Sequence, residues 1–147
     1  MTNAAQANIE SLTGILARTF RLYIQTHGYH WNVEGPQFVQ LHQTFEEQYQ
    51  ELWNSLDDIA ERIRALGAYA PGSATALINL AGDEASPAST AEQMVDNLIA
   101  VHFDLAAKLR DAIVLAQNAE DEPSAGMLAD RLEWHEKQLW MMQASRK

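Results

Sequence analysis

Four side chains between residues 42 and 61 could hold a cation: His42 with Glu46, and Asp57 with Glu61. Each pair is spaced i,i+4, so on a helix its two members project from one face of adjacent turns and can present two ligands together. Acidic residues on helices are more often solvated surface, and His42 adjoins Leu41 of an apolar stripe, where a hydrogen-bonded core histidine is common. Spacing limits the metal-binding alternative. Residues 42 and 57 are separated by about 22 Å along a helix, with an angular offset of only roughly 60°. One chain cannot close both pairs around one metal. If two copies pack this helix antiparallel about a two-fold axis near Glu51 and Leu52, His42 and Glu46 of one copy face Asp57 and Glu61 of the other. Two identical sites then arise per dimer, because a two-fold interface meets itself reciprocally.

His30 adds to this pattern. It precedes the Gly35-Pro36 turn by about as many residues as His42 follows it, so the two imidazoles reach similar height in an antiparallel hairpin. Two histidines and a carboxylate from one chain can then join two carboxylates from its partner. The chain has no cysteine, which excludes thiolate ligands and cysteine nucleophiles. A sulfur-free set of imidazoles and carboxylates suits Fe(II), Mn(II) or Zn(II), and of these iron has the useful redox chemistry. The usual di-iron bundle takes Glu-x-x-His motifs from within one chain. Here the positions three before each histidine hold Ile24, His27, Val39, Ile99 and Leu132, so that motif is absent. His27, one turn from His30, is expected to cap or pack more than to support that ligand, and His102 and His135 fit no ligand pattern and are expected to serve structure.

The elements that must position these residues are helices. Ile9, Leu12, Ile15, Leu16, Phe20, Tyr23 and Ile24 recur every three or four positions, predicting a helix from about Ala5 to Trp31. Gly35-Pro36 ends it, with Pro36 suited to the first turn of a second helix running to about Leu66 and capped by Gly67. The second stripe is Phe38, Leu41, Phe45, Tyr49, Leu52, Leu56, Ile59 and Ile63. From Ala68 to Pro87 the chain reads as a long crossover with one short helix near Leu77, Ile78 and Leu80. A third long helix starts near Ser89, where Ser89 and Glu92 form a capping-box pattern. The stretch from Asn118 to Pro123 breaks it, and a fourth begins at about Ser124. No segment alternates as a strand does. The fold class is therefore all-α: a four-helix bundle of ferritin-like connectivity, in which a long crossover between helices 2 and 3 carries the short extra helix.

With 147 residues, 47% apolar and 20% charged, the chain is expected to form a single domain over 1–147 with its own core. No apolar run approaches the roughly 18 residues of a membrane span, and Met1 to Glu10 lack the features of a secretory leader, which predicts a cytoplasmic protein. Ten basic against twenty acidic residues give a formal charge of −10, a field that repels phosphate backbones and attracts cations, or that simply confers solubility.

The run His30-Trp31-Asn32-Val33-Glu34-Gly35-Pro36-Gln37-Phe38, followed by Leu41-His42, Phe45-Glu46 and Asp57 through Ile59-Ala60-Glu61-Arg62, closely resembles the Dps family, the DNA-protecting mini-ferritins of starved cells. The resemblance implies a hollow dodecamer with ferroxidase centres at its two-fold interfaces. By position, His30, His42 and Glu46 match ligands from one subunit, and Asp57 and Glu61 those from its neighbour. It further implies oxidation of Fe(II), preferentially by hydrogen peroxide, with storage of the ferric mineral and limitation of hydroxyl-radical damage. Trp31 matches a tryptophan beside the centre that can intercept radicals, or that packs against the hairpin. Glu120, Asp121, Glu122 and Asp130 are candidates to line an iron pore, or a solvated loop, although Gly126 stands where many relatives have Asp. DNA-binding relatives often carry a lysine-rich N-terminal tail. Residues 1–8 contain no Lys or Arg and the only terminal basic cluster is Arg146-Lys147, so weak DNA binding is expected. The competing functions are a nucleoid-associated, DNA-compacting protein with secondary iron chemistry, and a plain helical scaffold.

Overall fold

A computed structural model describes residues 1–82 and 86–147, and residues 83–85 of the crossover lie outside the described residues. The described chain is all helix and connection: α1 (Asn3–Asn32), α2 (Phe38–Ala65), the short α3 (Ala74–Ala81), α4 (Ala91–Asn118) and α5 (Glu122–Ser145). The four long helices form a bundle in which α1 runs antiparallel to both α2 and α4, so the crossover leaves α2 and α4 parallel, as ferritin-like connectivity requires, and α3 lies against α1. Side chains that are wholly out of solvent, among them Leu12, Leu22, Phe45, Leu52, Ile59 and Leu98, bring the predicted stripes together in the core. Each such burial contributes about 1.5–3 kcal/mol. Two expected stripe members sit elsewhere, for Ile24 and Phe38 are 50% and 40% exposed. Asn8, Thr19 and Thr26 take buried places on α1, and Thr26 turns its hydroxyl back to donate to the Leu22 carbonyl.

The connections differ in detail from the sequence expectation. Pro36 lies ahead of α2, in a turn closed by the Phe38 N–H donating to the Gly35 carbonyl, where a fixed φ suits the second position. Gly67, at φ 94°, ends α2 as expected, with the N–H groups of Gly67 and Ala68 returning to Arg64 and Ile63. At α4 the capping box is shifted by one residue from the Ser89 and Glu92 pair. Thr90 accepts from the Gln93 N–H, and the Gln93 amide oxygen accepts from the N–H groups of both Ser89 and Thr90. Glutamine at the third helical position serves as well as glutamate. The α4–α5 break is confined to residues 119–121. Pro123 falls inside the first turn of α5, where its missing N–H costs nothing, and so starts the helix instead of ending the break.

Across the bundle, α2 and α5 stand further apart than the other neighbours. A groove of ≈ 610 Å³ opens between them, bordered by Leu41, Gln48, Trp134 and Met141. Long polar side chains bridge its floor: Gln48 donates to Gln138 at 3.2 Å, and Arg131 pairs with Glu51 at 2.7 Å. Behind them, His102 and His135 share a hydrogen bond between their Nδ1 atoms at 2.9 Å, both rings buried. This bond needs one donor and one acceptor, so both rings can be neutral together but cannot both be charged. Burial, and then the nearby Arg131 charge, lower the pKa of His102 to about 3. The same burial, with His102 and Arg131, holds His135 well below its ordinary value. Both histidines thus serve structure, as expected.

Depressed imidazole pKa values mean that the unfolded chain binds these protons first. The stabilisation is complete above the ordinary histidine value of 6.5 and declines as pH falls towards about 3. The midpoint of thermal unfolding should therefore drop through this window, and the drop should be shallower in H102Q, as followed by circular dichroism.

Candidate metal centre

The α1–α2 hairpin places His30 and His42 face to face, with ring centroids 3.8 Å apart and planes 14° from parallel. Each ring is anchored by the main chain of the other helix: His30 Nδ1 donates to the His42 carbonyl and His42 Nδ1 donates to the His30 carbonyl, both at 2.7 Å. A carbonyl oxygen can only accept, so these bonds put the imidazole proton on Nδ1 and leave the Nε2 lone pair to face a ligand. Fixing the tautomer through the far nitrogen is how proteins orient metal-binding histidines. His30 is 8% exposed while His42 is half-buried, which places the pair at the lip of the bundle. Glu46, one turn beyond His42, is also half-buried.

At the other end of α2, Asp57 and Glu61 are exposed on successive turns. The Asp57 charge, then a hydrogen bond shared with Asp57, burial and the Asp58 charge raise the Glu61 pKa. A carboxylate pair in this state gains from any cation or proton placed between its members. Among the described residues, no three His, Asp or Glu side chains of one chain gather into a group that could hold a metal ion. The structure thus brings together His30 with His42, and Asp57 with Glu61, and leaves the two pairs at opposite ends of α2.

Between the two half-sites runs a band of aromatic rings absent from the sequence expectation except for Trp31. His27 stacks on Tyr49 at 3.8 Å and 10°, and lies 4.3 Å from Trp31. Tyr23 lies 6.3 Å from Tyr49 and 5.2 Å from Trp53, and its hydroxyl is 3.0 Å from His27 Nδ1. Tyr49 meets His30 edge-on at 5.2 Å. Burial, then the neighbouring Tyr49, raises the Tyr23 pKa, while burial and then His30 lower that of His27. His27 therefore belongs to this band and caps no helix. The signal was present in the sequence, since positions 42, 46, 49, 53, 57 and 61 follow one i,i+3/i+4 stripe with ligand types at its ends and aromatics between.

The four pore candidates divide. Glu120, Glu122 and Asp130 are exposed. Asp121 is 8% exposed and fully engaged: one oxygen takes the Ser124 N–H and Arg62 at 2.7 Å, and the other takes Asn8 and the Ser124 hydroxyl. These bonds outweigh the opposing effect of burial, the largest single influence on it, and hold the Asp121 pKa down. Asp121 is the α5 cap, and its carboxylate is not available to a pore. Exposure of Trp31 and Trp53, at 66% and 58%, leaves large apolar area on the face that carries both half-sites.

Comparison with known proteins shows the family and the fold. The ferritin-like domain family matches residues 9–146. The DNA protection during starvation protein of Brevibacillus brevis is 34% identical over 145 residues, covering 95% of this chain and 97% of that protein. The crystal structure of a Dps protein from Bacillus brevis superposes with a TM-score of 0.96 at 33% identity, covering 100% of this chain and 99% of the other. The Vibrio cholerae Dps structure, described as a member of a broad superfamily of ferritin-like diiron-carboxylate proteins, gives a TM-score of 0.92 at 31% identity over 98% and 91% of the two chains.

Because the His30 and His42 protons are held on Nδ1 by carbonyls, ¹⁵N spectra at neutral pH should show both rings with Nε2 unprotonated. An Nε2–H pattern for either ring would contradict the anchoring.

Proposed function

The chain belongs to the Dps family of the ferritin-like superfamily, and on that premise we propose that it is a ferroxidase that oxidises Fe(II) at sites built between two copies of itself and stores the ferric product. The observation that carries this reading is the anchored His30 and His42 pair at one end of α2, with the Asp57 and Glu61 carboxylates at the other. Two copies crossing antiparallel near Glu51 and Leu52 bring one chain's imidazoles and Glu46 to the other's carboxylates. The exposed Trp31 and Trp53 supply apolar surface for that contact. This contact closes on itself in a dimer, and a second kind of contact between dimers would complete the dodecamer that the family resemblance implies, with the domain spanning 1–147.

A sulfur-free set of imidazoles and carboxylates suits a hard-to-borderline divalent ion, so Fe(II) is the substrate and Zn(II) or Mn(II) can occupy the same ligands. The carboxylates favour the product charge more than the substrate charge, which assists loss of an electron. Hydrogen peroxide is the preferred acceptor, with two Fe(II) and two protons consumed per peroxide to give two Fe(III) and two waters. Ferric ions then hydrolyse to a mineral in the cavity, removing both reactants of hydroxyl-radical formation. The net charge of −10 draws Fe(II) in and repels DNA, so DNA binding is weak and the cytoplasm is the place of action. Among the described residues, no helix is long and apolar enough to cross a membrane.

Glu120, Glu122 and Asp130 are the remaining pore residues. Glu120 supports this role by its backbone, since it holds φ 57° at the end of α4, where its N–H and that of Asp121 return to Gln117 and Ala116. A non-glycine residue there costs about 1 kcal/mol, and glycine fits the position better. E120G is accordingly expected to raise the unfolding midpoint while slowing ferric product formation, because the strain is relieved and a cation-attracting carboxylate is lost. For the centre itself, replacing both Asp57 and Glu61 by Ala should leave assembly intact by size-exclusion chromatography and abolish peroxide-driven absorbance growth from ferric product. Unchanged rates in that variant would refute the site.

A further inference from the structure

We propose that the groove between α2 and α5 binds a neutral planar heterocycle that presents an N–H beside a carbonyl, the lactam edge of flavins, pterins and pyrimidines, and that Gln48 reads this edge. The proposal does not depend on the ferroxidase reading. Helices in a bundle ordinarily close their shared seam with interlocking side chains, and ligand sites form where a seam stays open. Here α1 packs along α2 and α4, and α4 packs along α5, whereas α2 and α5 leave ≈ 610 Å³ between them. That is the size of sites that take drug-sized molecules. Leu41 on α2 and Trp134 and Met141 on α5 give the groove apolar walls, and the unbranched Met141 is exposed and free to adjust to a flat ring.

The floor of the groove has an unfinished hydrogen-bond pattern. Gln48 is 2% exposed, yet its Oε1 has no donor, and its Nε2 donates to Gln138 at 3.2 Å, the long end of the range for such a bond. A buried acceptor without a partner costs free energy that a ligand donor recovers. A carboxamide holds its acceptor and donor side by side, so a lactam meets both through two parallel bonds. The lactam N–H donates to Oε1, and its carbonyl accepts from Nε2. Gln138 is half-buried and gives up only that one long bond when it turns towards the mouth of the groove. A lone hydroxyl would satisfy Oε1 only, and a carboxylate Nε2 only.

Charge selects a neutral ligand. Glu51 is paired with Arg131 at 2.7 Å, and the exposed Glu47 and Lys137 bring one charge of each sign to the rim. The net charge of −10 further disfavours an anion. Size favours a fused-ring heterocycle over a single ring, because one pyrimidine would leave much of the groove to water.

The test brings the whole protein to equilibrium by dialysis against lumiflavin, whose single imide N–H lies between two carbonyls, and against 3-methyllumiflavin, in which that N–H is gone. Bound flavin is read by absorbance after denaturation and expressed per chain. Lumiflavin is expected to saturate at one per chain, and the methylated ring to bind about tenfold weaker or worse, as the loss of the paired bonds to a buried amide requires. Q48L, with its helix content checked by circular dichroism, should weaken lumiflavin by a similar factor. Q138A removes only the side chain that must move aside, and it should bind as tightly as the wild type or more so. A parallel dialysis against 1-methylthymine, the same edge on one ring, separates the two sources: tighter binding of lumiflavin assigns the groove to fused-ring heterocycles, and the reverse assigns it to pyrimidines. The proposal is overturned if neither probe binds saturably, if methylation of the imide leaves lumiflavin affinity unchanged, or if a folded Q48L binds as the wild type does. The comparison of the two flavins uses the unaltered chain, so it decides the matter even if Q48L does not fold.

Discussion

Two main-chain carbonyls fix the orientation of the imidazole pair at the lip of the bundle. Because His30 and His42 each donate Nδ1–H to the other's backbone, neither ring can turn without breaking a bond at the lip of the bundle. The condition for this exchange is the relative height of α1 and α2, fixed by packing around Phe45, Leu52 and Leu22 below. Tyr23 and Tyr49 confirm the same alignment two turns deeper, since each lies seven residues from its histidine and the two rings meet. A slip of one residue would carry both histidines away from their carbonyls. The core thus sets the tautomer, and the tautomer sets which nitrogen faces a cation.

The second constraint is the length of α2. A helix advances about 1.5 Å per residue, so ligands fifteen positions apart cannot converge however the side chains turn. The stripe 42, 46, 49, 53, 57, 61 drifts slowly around the helix, which keeps both ligand pairs and the intervening aromatics on one surface. That surface is the one left apolar and exposed by Trp53 and Trp31. The candidate ligands and the exposed aromatic rings therefore share a single face of the helix.

Much of this was legible in the sequence. Helical periodicity located the four long helices, the apolar patch at Leu77, Ile78 and Leu80 pointed to the short one, and the i,i+4 spacing by itself paired the ligand types. The departures have physical causes. Ser89 and Thr90 are equally good caps, and only the Gln93 side chain, which reaches both N–H groups, selects the later frame. Asp121 reads as one acid in an acidic turn, and its loss to the pore depends on Arg62 and Asn8, 59 and 113 residues away. The Tyr23 and His27 contact is spaced i,i+4, but the direction of a hydroxyl towards a ring nitrogen depends on rotamers that periodicity does not encode. The His102 and His135 pair needs the alignment of α4 with α5, which no local motif announces.

That buried pair also bears on why the candidate ligands lie at the surface of the bundle. The middle of a four-helix bundle is where Glu-x-x-His motifs usually hold two metals. Here the corresponding layer contains Gln48 with Gln138, Glu51 with Arg131, and His102 with His135. Its one carboxylate is neutralised by a guanidinium that is 8% exposed, and that fixed positive charge pushes both histidines further from protonation. The same field opposes any added cation, which would have to displace Arg131 from Glu51 and desolvate completely. A polar layer of matched pairs therefore holds the helices in alignment while excluding metal from the interior. The candidate ligands are the His30 and His42 lip and the Asp57 and Glu61 pair, which lie outside this layer towards the surface of the bundle.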